Sequence, residues 1–421
     1  MKRVPAAIVV GLVIGVAGSV VSALANFGEP EFQSIARAQL ARFAAAVAEF
    51  VLVALGLFEI ARRASGRVRS ASRVAAGLLL VVTAWYLARP LLDVLVDEQK
   101  LWVLEVFRWG FFASGLCTLI AVVVLGVVAR APIAVLAAIA VLARGWIPYV
   151  TDELHIWLFE NRQAAVAYWL VEELLFAVGL LGVSAAVAKQ APPSTSDPQM
   201  AVGGFHYVGN GLRIRIVGAI VFAMLAMSQV RGIGLSIVIG GPLVVVVTLA
   251  IVAVGCVRVA HADVAQMPRW RLAIGGGLSL WWAVVQYEQI AHVFRDHRVI
   301  TGASEAFAHA WSIAGPLIAT AGLALVGSAI STFAHARTND ELRESASVRT
   351  LLYVVLSASA VGIQTQVWKA ETRDGFFALT LVAACAAIAA LVSFAGLAKQ
   401  AADAIGAGPT LPPARVTSTK A

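Results

Sequence analysis

The chain has 421 residues, 60% of them hydrophobic and only 13% Asp, Glu, Lys or Arg, where a soluble domain carries roughly 25% charged residues. With a mean hydropathy of +0.85 and repeated apolar runs of about 20 residues, enough helix to cross ~30 Å of hydrocarbon, this composition excludes a soluble globular protein. The net charge of +8 would suggest nucleic acid in a soluble chain, but in a membrane chain the informative quantity is the side on which each charge falls.

The first apolar run, Val4 to Val21 behind Lys2 and Arg3, is followed by Ala23-Leu24-Ala25, which has the small-x-small form of a signal-peptidase site. The apolar stretch taken through residue 25 is about 22 residues, which exceeds the ~7 to 15 of a signal-peptide core, so it reads as an uncleaved first span. Twelve spans are predicted in all, near 4–25, 43–61, 74–96, 109–129, 131–150, 164–188, 213–230, 242–260, 272–293, 309–333, 348–368 and 375–398. The weakest boundary is the seventh to eighth, where Arg231-Gly232-Ile233-Gly234 is the sole polar break.

Most basic residues gather on one side of these spans: Lys2 and Arg3, the cluster Arg62, Arg63, Arg67, Arg69 and Arg73, then Arg130, Arg258, Arg269, Arg271, Arg337 and Arg343. Cytoplasmic loops hold the excess of Lys and Arg, so both termini are expected in the cytoplasm. The arginine cluster reads as a topology determinant in contact with anionic lipid rather than as a nucleic-acid surface. Trp85, Trp102, Trp109, Trp146, Trp157, Trp169, Trp311 and Trp368 fall near the opposite boundary, as an aromatic belt does.

The two halves read as copies. At an offset of 200 residues, Gly11-Leu12, Ile14 and Gly18 recur as Gly211-Leu212, Ile214 and Gly218, and Gly77-Leu78 recurs as Gly277-Leu278. Each half ends in Ala-Lys-Gln-Ala, at 188–191 and 398–401. Six spans is an even number, so the expected fold is an all-α polytopic bundle with a parallel six-plus-six duplication. Its expected parts are a first membrane repeat over 1–190, a Pro/Ser linker on the cytoplasmic side over 191–212, a second repeat over 213–400 and a disordered tail over 401–421.

Ionisable groups within a bilayer are costly, and each calls for a partner or a function. Glu172 and Glu173 lie in the sixth span, about 100° apart around the helix, so at most one faces a shared cavity well. Arg144 in the fifth span has similar depth and could pair with either. Glu49 lies six residues into the second span, and no acid is expected at the midplane. In the second half, Gln286, Glu288, Gln289 and His292 cluster in the ninth span, with Gln286, Gln289 and His292 forming one polar stripe, and Gln364 and Gln366 lie in the eleventh. Each of these sets fits either bonding between helices or contact with a substrate. Glu105 and Glu305 hold equivalent places outside the fourth and tenth spans, either as acids at helix N-termini or as a pair at an outer mouth.

Cys117, Cys256 and Cys385 lie in separate apolar runs, which gives neither a disulfide framework nor a zinc site. Asp152, Glu153, His155 and Glu160 match no metal-ligand spacing, and no nucleotide loop or nucleophile elbow is present. No metal, cofactor or catalytic role is expected. Expected partners are membrane lipids, a small-molecule substrate and a membrane-protein partner, without nucleic acid; the expected location is a cell membrane, the inner one if the chain is bacterial. Two functions remain open: a secondary-transporter-like carrier of a small molecule, and a structural or accessory membrane protein. The carrier requires a wet cavity bounded by both halves; an apolar seam would count against it.

Overall fold

The computed structural model describes residues 4–27, 32–95, 101–145, 162–193, 196–227, 234–295, 302–367 and 373–407. They form twelve helices: α1 (Ala6–Phe27), α2 (Phe32–Arg63), α3 (Gly66–Leu95), α4 (Leu101–Ala129), α5 (Ala134–Gly145), α6 (Arg162–Gln190), α7 (Pro198–Met227), α8 (Gly234–His261), α9 (Arg269–Arg295), α10 (Gly302–Ala336), α11 (Asp340–Val367) and α12 (Arg373–Gly406). Among the described residues, nine helices are long and apolar enough to cross a membrane, and α5 is a shorter apolar helix. The chain is therefore a multi-pass helical membrane protein in contact with lipid. The nine do not include α7 and α9, whose apolar faces are interrupted by residues such as Asn210, Arg213 and Arg215 or Arg269, Arg271 and Gln286.

The short connections at the arginine-bearing end fix the hairpins. Asp197 accepts a bond from the Met200 amide at 3.0 Å and Asn339 one from the Leu342 amide at 2.9 Å, so each caps a helix whose first amides lack partners in the helix itself. At the end of α4, Arg130 takes φ of 50° and the Ala131 amide reaches back to the Gly126 carbonyl at 3.0 Å; at the end of α10, Thr338 takes φ of 54° and the Asn339 amide reaches Ala334 at 3.0 Å. Both are left-handed helix ends that turn the chain back at the same level. Of the segment expected as a linker, 198–212 is the first half of α7. Asp197 explains the early start: it caps the helix and also pairs with Arg62 at 3.2 Å, while Arg62 and Arg63 both pair with the buried Glu59.

Neighbour relations close two rings. In the first, each of α1 to α6 packs on the next and α6 returns to α1; in the second, α7 to α12 do the same. The first ring is filled by Ile8, Phe50, Leu57, Leu79, Leu125, Phe176 and Leu180, the second by Phe205, Leu212, Leu323, Phe333 and Phe394. Glycines 200 residues apart make similar helix crossings. A Cβ at Gly11 would meet Leu52 at 3.0 Å and one at Gly211 would meet Val252 at 3.0 Å, so α1 on α2 and α7 on α8 pack backbone to side chain, as small residues allow in lipid.

The seam between the rings is apolar and unequal. Leu40, Ala44 and Val47 of α2 pack against Leu249 of α8, Trp282 and Val285 of α9 and Ala319 of α10. The Trp281 indole donates to the Ala41 carbonyl at 3.2 Å, and the Tyr287 hydroxyl donates to the Leu87 carbonyl. Helix α9 packs on α1, α2 and α3, with Gly277 against Ile14, Leu52 and Val10. Gly77, 200 residues earlier, has nothing within 4 Å. One ring thus offers a groove and the other a ridge, and the docking differs from an exchange of equivalent faces.

Candidate functional site

Buried acids concentrate in the first ring. Glu49, Glu172 and Glu173 are 0%, 3% and 2% exposed. On α1, Gly15, Ser19 and Ser22 share one face at i, i+4 and i+7 spacing. Gly15 lets the Glu49 carboxylate lie against the α1 backbone, since a Cβ there would meet Glu49 Oε2 at 2.1 Å. Ser19 Oγ donates to Glu173 Oε2 at 3.3 Å. Gly15 and Ser19 are one turn, ~6 Å, apart along the axis, so two carboxylates from two helices meet α1 at neighbouring levels.

The depth of Glu49 corrects the sequence expectation. Glu49 lies near the middle of α2, Phe32–Arg63. Its contact Gly15 lies near the middle of α1, Ala6–Phe27. An acid therefore does lie near the middle of two packed helices. It was misplaced because the polar residues preceding Phe43 made the apolar run look as if it started later.

Glu172 points elsewhere. It borders a cavity of about 150 Å³ inside the first ring, with Phe50 of α2, Val82 and Tyr86 of α3, Phe111, Ser114, Gly115 and Thr118 of α4, Val141 of α5 and Phe176 of α6. The aromatic wall is continuous: the Phe50 ring lies 5.9 Å from Tyr86 and 6.3 Å from Phe176. Adjacent glutamates on one helix thus divide their tasks, Glu172 to the cavity and Glu173 to α1. Tyr168, one turn before Glu172, donates to the Ala143 carbonyl at 2.7 Å and holds α6 to α5. A guanidinium lies over the end of this group, Arg42 being 5.4 Å from the Trp169 ring.

The cavity lies within one ring and not between the two, contrary to the arrangement a carrier with a shared central path requires. At the seam, apolar packing between α2 and α8 to α10 occupies the place expected for water. Gln286 and Tyr287 of α9 are half-buried there, whereas Gln364 and Gln366 are exposed on α11 and apart from the cavity. The side chains of Glu105, Arg144, Glu288, Gln289, His292 and Glu305 lie outside the described residues, as does the loop with Asp152, Glu153, His155 and Glu160. Among the described residues, no three His, Cys, Asp or Glu side chains come together as a metal site.

The positions at the corresponding offsets from the acids are apolar. Leu249 stands 200 residues after Glu49, and the shared Ala-Lys-Gln-Ala ending aligns Glu172 and Glu173 with Val382 and Ala383. Ser19 and Gly15 were not singled out in the sequence because single small residues are common in apolar helices; their i, i+4 spacing opposite an acid becomes informative only once α2 is placed. Chemically, an acid in a low-dielectric interior holds a proton or a cation, and hydroxyls at its side stabilise either state. No protein-family model matches the chain, nor does any curated protein or solved structure, so the geometry of this site is the ground for a functional reading.

Proposed function

We propose that the protein is a non-enzymatic, secondary-transporter-like carrier whose solute or coupling-ion site is the acidic cavity of the first ring, the second ring serving as its partner bundle. The observation that supports this reading is Glu172 at the cavity of the first ring, with Glu49 and Glu173 buried in the same ring. Intramembrane acids of this kind mark ion and proton paths. A cationic solute or a proton is the matching ligand. The neighbour order of the rings and the paired glycine contacts support a parallel duplication, and the arginine-rich end supports cytoplasmic termini in a cell membrane.

Proteoliposomes with an internal pH dye test the proposal. Wild-type protein passes protons or a small amine down an imposed gradient, and Glu172→Gln removes that flux while the protein stays folded. Equal flux in wild type, Glu172→Gln and empty liposomes refutes it. A second reading, a structural or accessory membrane protein, is favoured by the apolar seam, which leaves no shared path for the two rings to open and close. It predicts no flux and co-purification with a membrane partner.

A further inference from the structure

The wall of the first-ring cavity is built from aromatic faces and hydrogen-bond acceptors. Its rings come from four helices: Phe50 of α2, Tyr86 of α3, Phe111 of α4 and Phe176 of α6. Phe50 lies 5.9 Å from Tyr86 at an interplanar angle of 45° and 6.3 Å from Phe176 at 69°, so these three rings form a corner and do not stack face to face. The Ser114 hydroxyl donates to the Phe111 carbonyl at 2.8 Å, and the Thr118 hydroxyl donates to the Ser114 carbonyl at 2.9 Å. Each spends its proton on the α4 backbone and has only lone pairs left to offer. Glu172 adds a carboxylate. Aromatic faces are negative as well, so apart from the Tyr86 hydroxyl, which can donate or accept, the groups a ligand meets here share one electrostatic sign.

Closing a ring of six helices does not require these groups. The second ring closes in the same neighbour order with Ala250, Ala314 and Ile318 standing 200 residues after Phe50, Ser114 and Thr118, and with Ala386 where the shared Ala-Lys-Gln-Ala ending aligns Phe176. Tyr86 and Phe111 lie in the last turn of the span Gly66–Ala88 and the first turn of the span Trp109–Ala129, so the cavity lies toward the end away from the arginine cluster. Its volume of about 150 Å³ equals that of a cavity that takes up benzene, a molecule of about six non-hydrogen atoms.

We propose that this cavity binds a small alkylammonium ion, held between the Phe50, Tyr86 and Phe176 rings and the Glu172 carboxylate. The inference rests on the site proposed above for the carrier and narrows its ligand from a cation in general to an organic one. A cation within about 6 Å of a ring centroid is attracted to the ring face, and centroid spacings of 5.9 and 6.3 Å let one ion reach three rings. Its alkyl groups lie against those faces, and any N–H groups find acceptors in Glu172, Ser114 and Thr118. A hard inorganic cation instead asks for a shell of about six oxygens, and most of the wall side chains carry none. A neutral solute of the same size would leave the acid unmatched.

The full chain in phosphatidylcholine nanodiscs is titrated calorimetrically with tetramethylammonium chloride, with sodium chloride, and with the matched pair tert-butylammonium chloride and tert-butanol. Saturable binding of both ammonium ions is expected, with sodium and tert-butanol weaker by about tenfold or more, the scale of a lost interaction with a charged group. Phe50→Leu and Tyr86→Leu keep apolar bulk and remove a ring face, and each weakens tetramethylammonium by roughly two- to thirtyfold. Glu172→Gln weakens tert-butylammonium by about tenfold or more. Absence of saturable binding of either ammonium ion overturns the proposal. So does equal binding of sodium or tert-butanol, or unchanged affinity in either folded ring variant. If the ring variants do not fold, the wild-type comparison of tert-butylammonium with tert-butanol and of tetramethylammonium with sodium decides alone. The proteoliposome flux separates this proposal from the carrier reading: ammonium binding without flux supports the aromatic site and refutes the carrier, whereas proton flux that Glu172→Gln abolishes, without ammonium binding, supports the carrier and overturns the aromatic site.

Discussion

Glu49 and Gly15 should be energetically coupled, and the size of that coupling follows from their contact. In Gly15→Ala the new Cβ would lie 2.1 Å from Oε2 and 2.5 Å from Cδ of Glu49, where 3.4 Å is ordinary contact. The carboxylate must therefore retreat by more than 1 Å, and because Glu49 is fully enclosed it cannot swing into solvent. Overpacking of this kind costs about 1–3 kcal/mol, against which alanine returns ~1 kcal/mol of helix propensity. In a Glu49→Ala background the obstruction is gone, and the same Gly15→Ala change should stabilise by the propensity gain alone. The double-mutant cycle should thus show a coupling of about 1–3 kcal/mol, measured by reversible unfolding in mixed micelles. Additivity within ~0.5 kcal/mol, the behaviour of independent sites, would mean that the Glu49 carboxylate does not rest on Gly15.

Two further outcomes test the frame around the site. Asp197→Ala should cost about 0.5–2 kcal/mol as a lost helix cap and speed proteolysis near the start of α7, whereas Asp197→Asn keeps the cap, loses only the part-exposed pair with Arg62 and should cost under about 1 kcal/mol. Gly77→Ala, with open space around it, should raise stability by up to ~1 kcal/mol, while Gly277→Ala, whose Cβ would meet Ile14 of the first ring at 2.6 Å, should lower it; the same unfolding assay compares them, and equal effects would contradict the unequal seam.

What the sequence revealed depended on how directly each property is written in one dimension. Helix number and order were legible because each apolar run is long and bounded by charge. Depth was less so: Glu49 moved toward the middle of its helix, since the ends of an apolar run locate a helix only to within a turn or two. The division between Glu172 and Glu173 followed from helix geometry alone. Which ring owns the cavity could not be read, because Ser114, Thr118 and Tyr86 become neighbours of Glu172 only when α3, α4 and α6 close around it. The unequal seam was invisible for a related reason: Gly77 and Gly277 both open a Gly-Leu-x-Leu run but have different surroundings.

The hydrocarbon filling of that seam, with Leu40, Val47, Leu249 and Val285 at its centre, treats two kinds of signal differently. A proton moves along water or exchangeable groups, and the aliphatic side chains of this wall supply neither, so they form no proton path between the rings. An electric field needs no such carrier and is screened less by hydrocarbon than by water. A charge change among the acids of one ring would therefore be felt in the other at a distance, without any helix moving. The barrier to matter between the rings is, for the same physical reason, a good conductor of electrostatic influence.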